Sequence, residues 1–203
     1  MEDPSAFQAI RVVALSIAPD SVSASLAVDA ANISIGTATH VVGTFLLPDK
    51  TPAAGIPVHL QTQVSGGQWV GVQDGITGAD GTFSAVLQLV QNSNVRMYTD
   101  SSWQRLEGDT PTIAVNVSRI LTWTIPASMK MGVAYPISAQ VQPAVAGVSV
   151  KLSNGATSIT DVKGTALFTI TNRITGFTPY QLSIAEDQNY AAVQTGFVIV
   201  WVR

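Results

Sequence analysis

Two histidines and no cysteine leave few residues for covalent or metal chemistry. Thiol catalysis, disulfides and thiolate metal sites are removed outright, and a hydrolytic triad or zinc centre would depend on His40 or His59. His59 lies out of phase with Ile56, Val58 and Leu60, and Lys151 stands at the matching place in a second copy of the same motif. A position that accepts lysine faces solvent, so His59 is expected to be a surface residue. His40 opens another alternating run, with no His-x-x-x-His spacing and no Gly-x-Ser-x-Gly elbow anywhere. Asp74 and Asp80 flank a glycine-rich hairpin and could offer oxygens to Ca²⁺, which takes six to eight such ligands. No Asp-x-Asp-x-Asp run accompanies them, and Lys163 replaces Asp80 in the second copy, so the turn is expected to need its glycine, not a metal. Glu107-Gly108-Asp109 and Glu186-Asp187 read as loop charge. No catalytic residue, metal ligand or cofactor site is assigned.

Aromatic residues offer contact chemistry instead. Trp69 sits on a hairpin and either stacks on a sugar or covers the edge of a sheet, the cover being the favoured reading. Trp123 alternates with Leu121 and Ile125, while Trp103 and Tyr190 occupy a repeated position, so all three are expected in cores. The run Phe197-Val198-Ile199-Val200-Trp201-Val202 is apolar on both faces, whereas its counterpart around Asn116 and Ser118 is polar on one. A strand of that kind is expected to be covered outside as well as inside, by a neighbouring domain of the same chain or by another subunit. Phe197, Ile199 and Trp201 are therefore interface candidates. Asn32-Ile33-Ser34 and Asn116-Val117-Ser118 spell glycosylation sequons, a motif that arises often by chance.

The chain has 203 residues, 46% of them apolar, enough for one large domain or two small ones. Only 11% are charged, against about 25% in an ordinary soluble domain. The net charge of −3 provides no basic field for nucleic acid or anionic lipid. No apolar run approaches the roughly 18 residues of a membrane-spanning helix. Met1-Glu2-Asp3-Pro4 is acidic and Arg11 interrupts the apolar stretch behind it, the reverse of a secretory signal. Either the chain is not exported by that route or Met1 is not its native start.

Alternation with a period of two dominates: Val22, Ala24, Leu26 and Val28; Phe83, Ala85 and Leu87; Ile113, Val115 and Val117. Turn signals separate the runs at Pro48-Asp49-Lys50, Ser65-Gly66-Gly67, Asp80-Gly81, Asn154-Gly155 and Lys163-Gly164. An internal repeat organises them. Ala54 to Leu60 matches Ala146 to Leu152, Gly81 to Leu87 matches Gly164 to Ile170, and Ile113 to Val117 matches Val198 to Val202. The sequence therefore predicts an all-β fold of two tandem sandwiches, residues 31-118 and 119-203, behind an N-terminal arm over 1-30. Gly81 and Gly164 are expected at equivalent turns with positive φ. Within the arm, Val13, Leu15 and Ile17 alternate as a strand, with a helix from Pro4 as the weaker alternative. Two such strands cannot stand alone, so the arm must pair with a sheet edge, of its own first sandwich or of a neighbour.

The order Ala53-Ala54-Gly55-Ile56-Pro57-Val58, then Gly78-Ala79-Asp80-Gly81-Thr82-Phe83, then a terminal Thr-Ile-x-Val-x-Val strand, resembles prokaryotic and phage immunoglobulin-like tandem repeats. The likeness covers residues from about 31 to 203; the second copy departs by moving the aromatic after Gly-Thr from Ala166 to Phe168. The resemblance implies Ig-like sandwiches in a non-catalytic structural or interaction protein. Virion components (tail, fibre or capsid decoration) are the foremost expectation, since virion proteins reach the outside by lysis. Cell-surface adhesins, surface-layer or filament proteins follow, then carbohydrate-binding or spacer modules of larger enzymes. Expected partners are other protein subunits, with cell-surface glycans second to them; nucleic acid and membrane insertion are not expected.

Overall fold

A computed structural model describes residues 21–102 and 106–203. The described residues contain strands, turns and no helix. Among the described residues nine strands precede Arg119: β1 (Ser23–Val28), β2 (Asn32–Ser34), β3 (Ala38–Leu46), β4 (Pro57–Val64), β5 (Val70–Ile76), β6 (Thr82–Gln88), β7 (Ser93–Thr99), β8 (Gly108–Asp109) and β9 (Ile113–Ser118). Ten follow it: β10 (Ile120–Thr124), β11 (Ser128–Met129), β12 (Ala134–Gln142), β13 (Ser149–Leu152), β14 (Thr157–Ile159), β15 (Thr165–Thr171), β16 (Gly176–Tyr180), β17 (Leu182–Ile184), β18 (Val193–Gln194) and β19 (Val198–Val202).

Both halves use one plan. One layer runs β1-β3-β6 in the first half and β10-β12-β15 in the second. The facing layer is β2-β9-β7-β4-β5 in the first, and in the second its strands form β11-β19-β16 and β14-β13-β17-β18. The short strand after the first crosses to the other layer in each case and lies parallel to the last: β2 on β9, β11 on β19. This is the Ig-like sandwich, twice over. Alternation places the apolar face of each strand inward, giving one core around Val41, Phe45, Leu60 and Met97 and a second around Val141, Leu152, Ile170 and Leu182.

β1 shortens the arm expected over residues 1-30. Ser23 to Val28 pairs antiparallel with Leu46 to Val41, and Val22, Ala24, Leu26 and Val28 pack on the first core. The alternating side chains thus meet a sheet edge of their own sandwich. Val13, Leu15 and Ile17 lie outside the described residues, as do the helix alternative from Pro4 and the core placement of Trp103.

The paired glycines behave as the repeat requires. Gly81 has φ +72° and Gly164 φ +76°; the Gly81 carbonyl accepts from Phe45 N and the Gly164 carbonyl from Val141 N, both at 2.9 Å. A carboxylate secures each turn from a different position. Asp80 Oδ1 accepts from Thr82 N at 3.0 Å, while Asp161 Oδ1 accepts from Thr165 N at 2.9 Å and Lys163 N at 2.8 Å. The carboxylate at 80 can therefore be a lysine at 163.

A second repeated device went unread in the sequence. Thr77 Oγ1 accepts from Ile56 N at 3.1 Å and donates to Ala53 O at 2.5 Å, and Thr160 Oγ1 accepts from Val148 N at 3.0 Å and donates to Val145 O at 2.6 Å. Each hydroxyl satisfies both polar groups of the chain entering β4 or β13. Thr77→Val keeps the shape but strands a buried donor and acceptor. It should cost about 2 kcal/mol in the urea unfolding of the first sandwich, against near-neutrality for exposed Thr122→Val.

Candidate interaction surfaces

His59 has richer surroundings than a plain surface residue. β4 carries it outward, level with Asp74 on β5 and Tyr98 on β7. Its Nδ1 lies 2.7 Å from Asp74 Oδ1 and its Nε2 3.0 Å from Asp100 Oδ2, while the ring stacks on Tyr98 with centroids 4.8 Å apart. A general base needs one ring nitrogen facing a nucleophile while the other is held in place. Here carboxylates take both nitrogens, so the imidazole is arranged as a clamp across three strands.

The contact with Asp74 raises the His59 pKa above 6.5, partial burial opposes that, and Asp100 adds to the rise. A histidine whose pKa is raised on folding stabilises fully below its unfolded value, and the gain is lost as pH climbs through the folded value. Urea midpoints of the first sandwich should therefore fall as pH rises from about 6.5. His59→Gln should flatten that slope, the difference staying within about 1 kcal/mol because both aspartates are largely exposed. A wild-type slope unchanged by the substitution would place the titration elsewhere.

Trp69 is half-buried, with the Arg96 guanidinium 4.4 Å from its ring centroid and 5.7 Å from that of Tyr98. Gln61 Oε1 accepts from Arg96 Nε at 3.0 Å and Nη2 at 2.9 Å. The indole lies over a cation held on the sheet.

The two sandwiches meet at a built joint. β9 ends at Ser118, Arg119 is buried, and β10 begins at Ile120. The connection before β18 reaches back: Asn92 N donates to Asn189 O at 2.7 Å, and Ala191 N to Val117 O at 2.9 Å. Arg119 places its guanidinium 4.0 Å from the Tyr190 ring centroid and Nη1 2.7 Å from Asp187 Oδ2, close but without the angle of a hydrogen bond. Burial pushes the Asp187 carboxyl up, but Arg119 and the amides of Asn189 and Tyr190 outweigh it and hold it below its ordinary value. Two expectations are corrected here. Tyr190 packs against the first sandwich's core, not its own, because its loop leaves the second sandwich to enter the joint. Asp187, read as loop charge, is the acidic half of the joint's ion pair. Trp123 half-buries against the second core.

The last strand departs from the expectation of cover within the chain. Phe197, Ile199 and Trp201 are 63%, 53% and 45% exposed, and Phe177 on β16 is 70% exposed. Phe177 meets Trp201 edge to face, centroids 4.6 Å apart, and Pro179 lies level with Ile199. The matching face of the first sandwich carries amides: Asn116 Nδ2 donates to Asn32 Oδ1 at 3.0 Å, joining the two sequon asparagines. Sequence reading found the residues of β19 but not Phe177 or Pro179, whose strand bears no counterpart motif in the first copy.

Among the described residues no group of His, Asp and Glu is placed to hold a metal ion, and no helix is long and apolar enough to cross a membrane. No family model and no curated protein matches the chain. Solved structures similar to it include two of Ig-like or adhesin proteins. An adhesin of Yersinia pseudotuberculosis, InvE, is 16% identical over 87% of this chain and 58% of that one, with a TM-score of 0.39. The D0-D1 domain of intimin is 16% identical over 89% of this chain and 97% of that one, with a TM-score of 0.34. This chain thus spans less than two-thirds of the InvE structure. The fold assignment stands on the strand pairing itself.

Proposed function

We propose that this chain is a non-catalytic structural component of a protein assembly, with a virion (tail, fibre or capsid decoration) as its setting. The observation that carries this reading is the aromatic face of the second sandwich. Phe177, Phe197, Ile199 and Trp201 form a contiguous apolar surface on a chain that otherwise has few charges and many small polar groups. Apolar surface of that kind marks a contact with another macromolecule. The engaged nitrogens of His59 and the locked joint fit a part that holds position more readily than one that turns over substrate. A cell-surface appendage would use such a face in the same way, and fractionation separates the settings. Native chain should co-purify with particles released on lysis, and recovery with the cell envelope would move the assignment to the surface. Phe177→Ser with Trp201→Ser should leave folding intact and reduce incorporation at least tenfold. Normal incorporation would remove the face from the mechanism.

A further inference from the structure

We propose that the second sandwich takes an acidic, extended segment of another protein as an added strand, laid along the open edge of β16. The proposal rests on the functional reading above and gives the chemistry of the partner at that end of the molecule. The first sandwich shows what such an edge holds when it is filled. There β4 runs four residues past Leu60, and residues 61–64 pair antiparallel with residues 93–96 of β7. In the second sandwich β13 stops at Leu152, the match of Leu60. Leu60 faces Met97 and Leu152 faces Leu182, while Ser93 faces Val115 and Thr178 faces Val200. Residues 178–181 therefore answer to 93–96 but lack their strand.

Backbone bonds mark where the pairing ends. Ser153 N donates to Gln181 O at 2.9 Å and Ser153 Oγ accepts from Gln181 N at 3.1 Å, and the chain then turns back at Gly155. Trp201 N turns to Ala127 O, away from β16, so Phe177 opposite it turns its own N–H and C=O away from β19. Pro179, two residues on, turns its carbonyl the same way. Among the described residues no strand pairs with β16 on that side, and no bond is made to Phe177 N, Phe177 O or Pro179 O. Pro179 has no N–H, so an incoming strand pairs fully at Phe177 and gives one further N–H to Pro179. That limit discourages casual edge-to-edge pairing.

The place of the missing strand is a cleft of about 460 Å³ between the turn of Ser153 and Asn154 and the loop of Arg173 and Ile174, with Phe197 along it. Its wall is set, because buried Tyr180 donates through its hydroxyl to buried Asn172 Oδ1, at the start of that loop. Ile174 and Phe197 are exposed and offer apolar contact to an entering side chain. Charge decides the kind of strand. Arg203 N donates to Met129 O and Met131 N to Arg203 O, which sets exposed Lys130 beside exposed Arg203. Gly132 N donates to Asn172 O and ties this strand end to the loop carrying exposed Arg173. None of the three cations makes an ion pair among the described residues. The acidic side chains of the second sandwich, Asp161, Glu186 and Asp187, lie toward the joint at its other end. A segment carrying Asp or Glu beside apolar residues complements this cleft.

Residue-resolved amide exchange on the isolated chain should find Phe177 N–H unprotected while Thr178 and Tyr180 are protected. A synthetic peptide with the sequence of residues 60–64, which fills the first sandwich's slot, should slow Phe177 exchange about tenfold at about 5 mM when flanked by aspartates. Flanked by lysines it should not. Arg173→Glu should reverse that preference. Replacing residues 153–156 by residues 61–71 fills the cleft from within and leaves Phe177 and Trp201 in place. It should abolish peptide binding and cut incorporation into the parent assembly at least tenfold. Phe177 exchange untouched by either peptide would overturn the proposal, and equal slowing by both would overturn its acidic partner. Fast Phe177 exchange in an assembly that covers the rings of Phe177 and Trp201 would leave the functional reading standing and remove the added strand. Protection in the assembly that vanishes on deleting residues 1–20 would give the cleft to a second copy of this chain and overturn the choice of another protein.

Discussion

Gly81→Ala should destabilise the first sandwich by about 3 kcal/mol, which combines left-handed strain with an unavoidable clash. At φ +72° a Cβ is disfavoured whatever the space around it, and here there is none. A Cβ at Gly81 would lie 2.5 Å from Phe45 O and 3.0 Å from Ala53 N, both backbone atoms of the strand and turn it joins. Neither can retreat without breaking the bonds from Phe45 N to Gly81 O and from Ala53 N to Phe45 O. Gly164→Ala meets the same obstacle, with Val141 O at 2.5 Å, and should weaken the second sandwich alike. Gly55 supplies the control: its φ is +70° but a Cβ there has nothing within 4 Å, so Gly55→Ala should cost only about 1 kcal/mol. Urea unfolding of the three variants separates strain from clash. Equal losses at Gly55 and Gly81 would show that the close approach costs nothing.

Tyr190→Ala should be felt mainly in the sandwich to which Tyr190 does not belong. Its ring packs on the first core and carries the Arg119 guanidinium on one face. Truncation opens a cavity at the joint and leaves a buried arginine with one carboxylate contact, a loss of about 3 kcal/mol. The first sandwich's unfolding midpoint should fall and that of the second stay nearly fixed. Small-angle scattering should broaden from one inter-sandwich distance to a range of distances, because the backbone bonds of Asn189 and Ala191 would lose the packing that orients them. Tyr190→Phe, which keeps the ring, should preserve both. If Tyr190→Ala leaves the distance distribution unchanged, the joint is held by the short β9–β10 connection alone.

Local chemistry was legible in the sequence and long-range pairing was not. The alternation of Val58 and Leu60, or of Ala85 and Leu87, announces a half-buried strand because side chains on a strand point to opposite faces every residue. Gly81 and Gly164 were legible because positive φ and a close backbone approach select glycine in both copies. The environment of His59 was hidden: Asp74 is fifteen positions away and Asp100 forty-one, and only the register of β4 against β5 and β7 brings them to one imidazole. The repeat even pointed away from it, since Lys151 has no such task. Tyr190 was assigned to the wrong core for a related reason. Only the second sandwich has another ahead of it, and the loop that carries Tyr190 reaches into that one. The face around Trp201 was half legible, since two-sided apolarity showed in β19 while its partners on β16 depended on pairing.

Whether the aromatic face is the working surface is settled most directly by hydroxyl-radical footprinting of Phe177 and Trp201, in the isolated chain and in the parent assembly. Both rings should react readily in the isolated protein, as their exposure dictates, and modification should drop at least tenfold on assembly while the exposed His40 stays reactive. Unchanged labelling of both aromatics in an assembly that contains the chain would contradict the account.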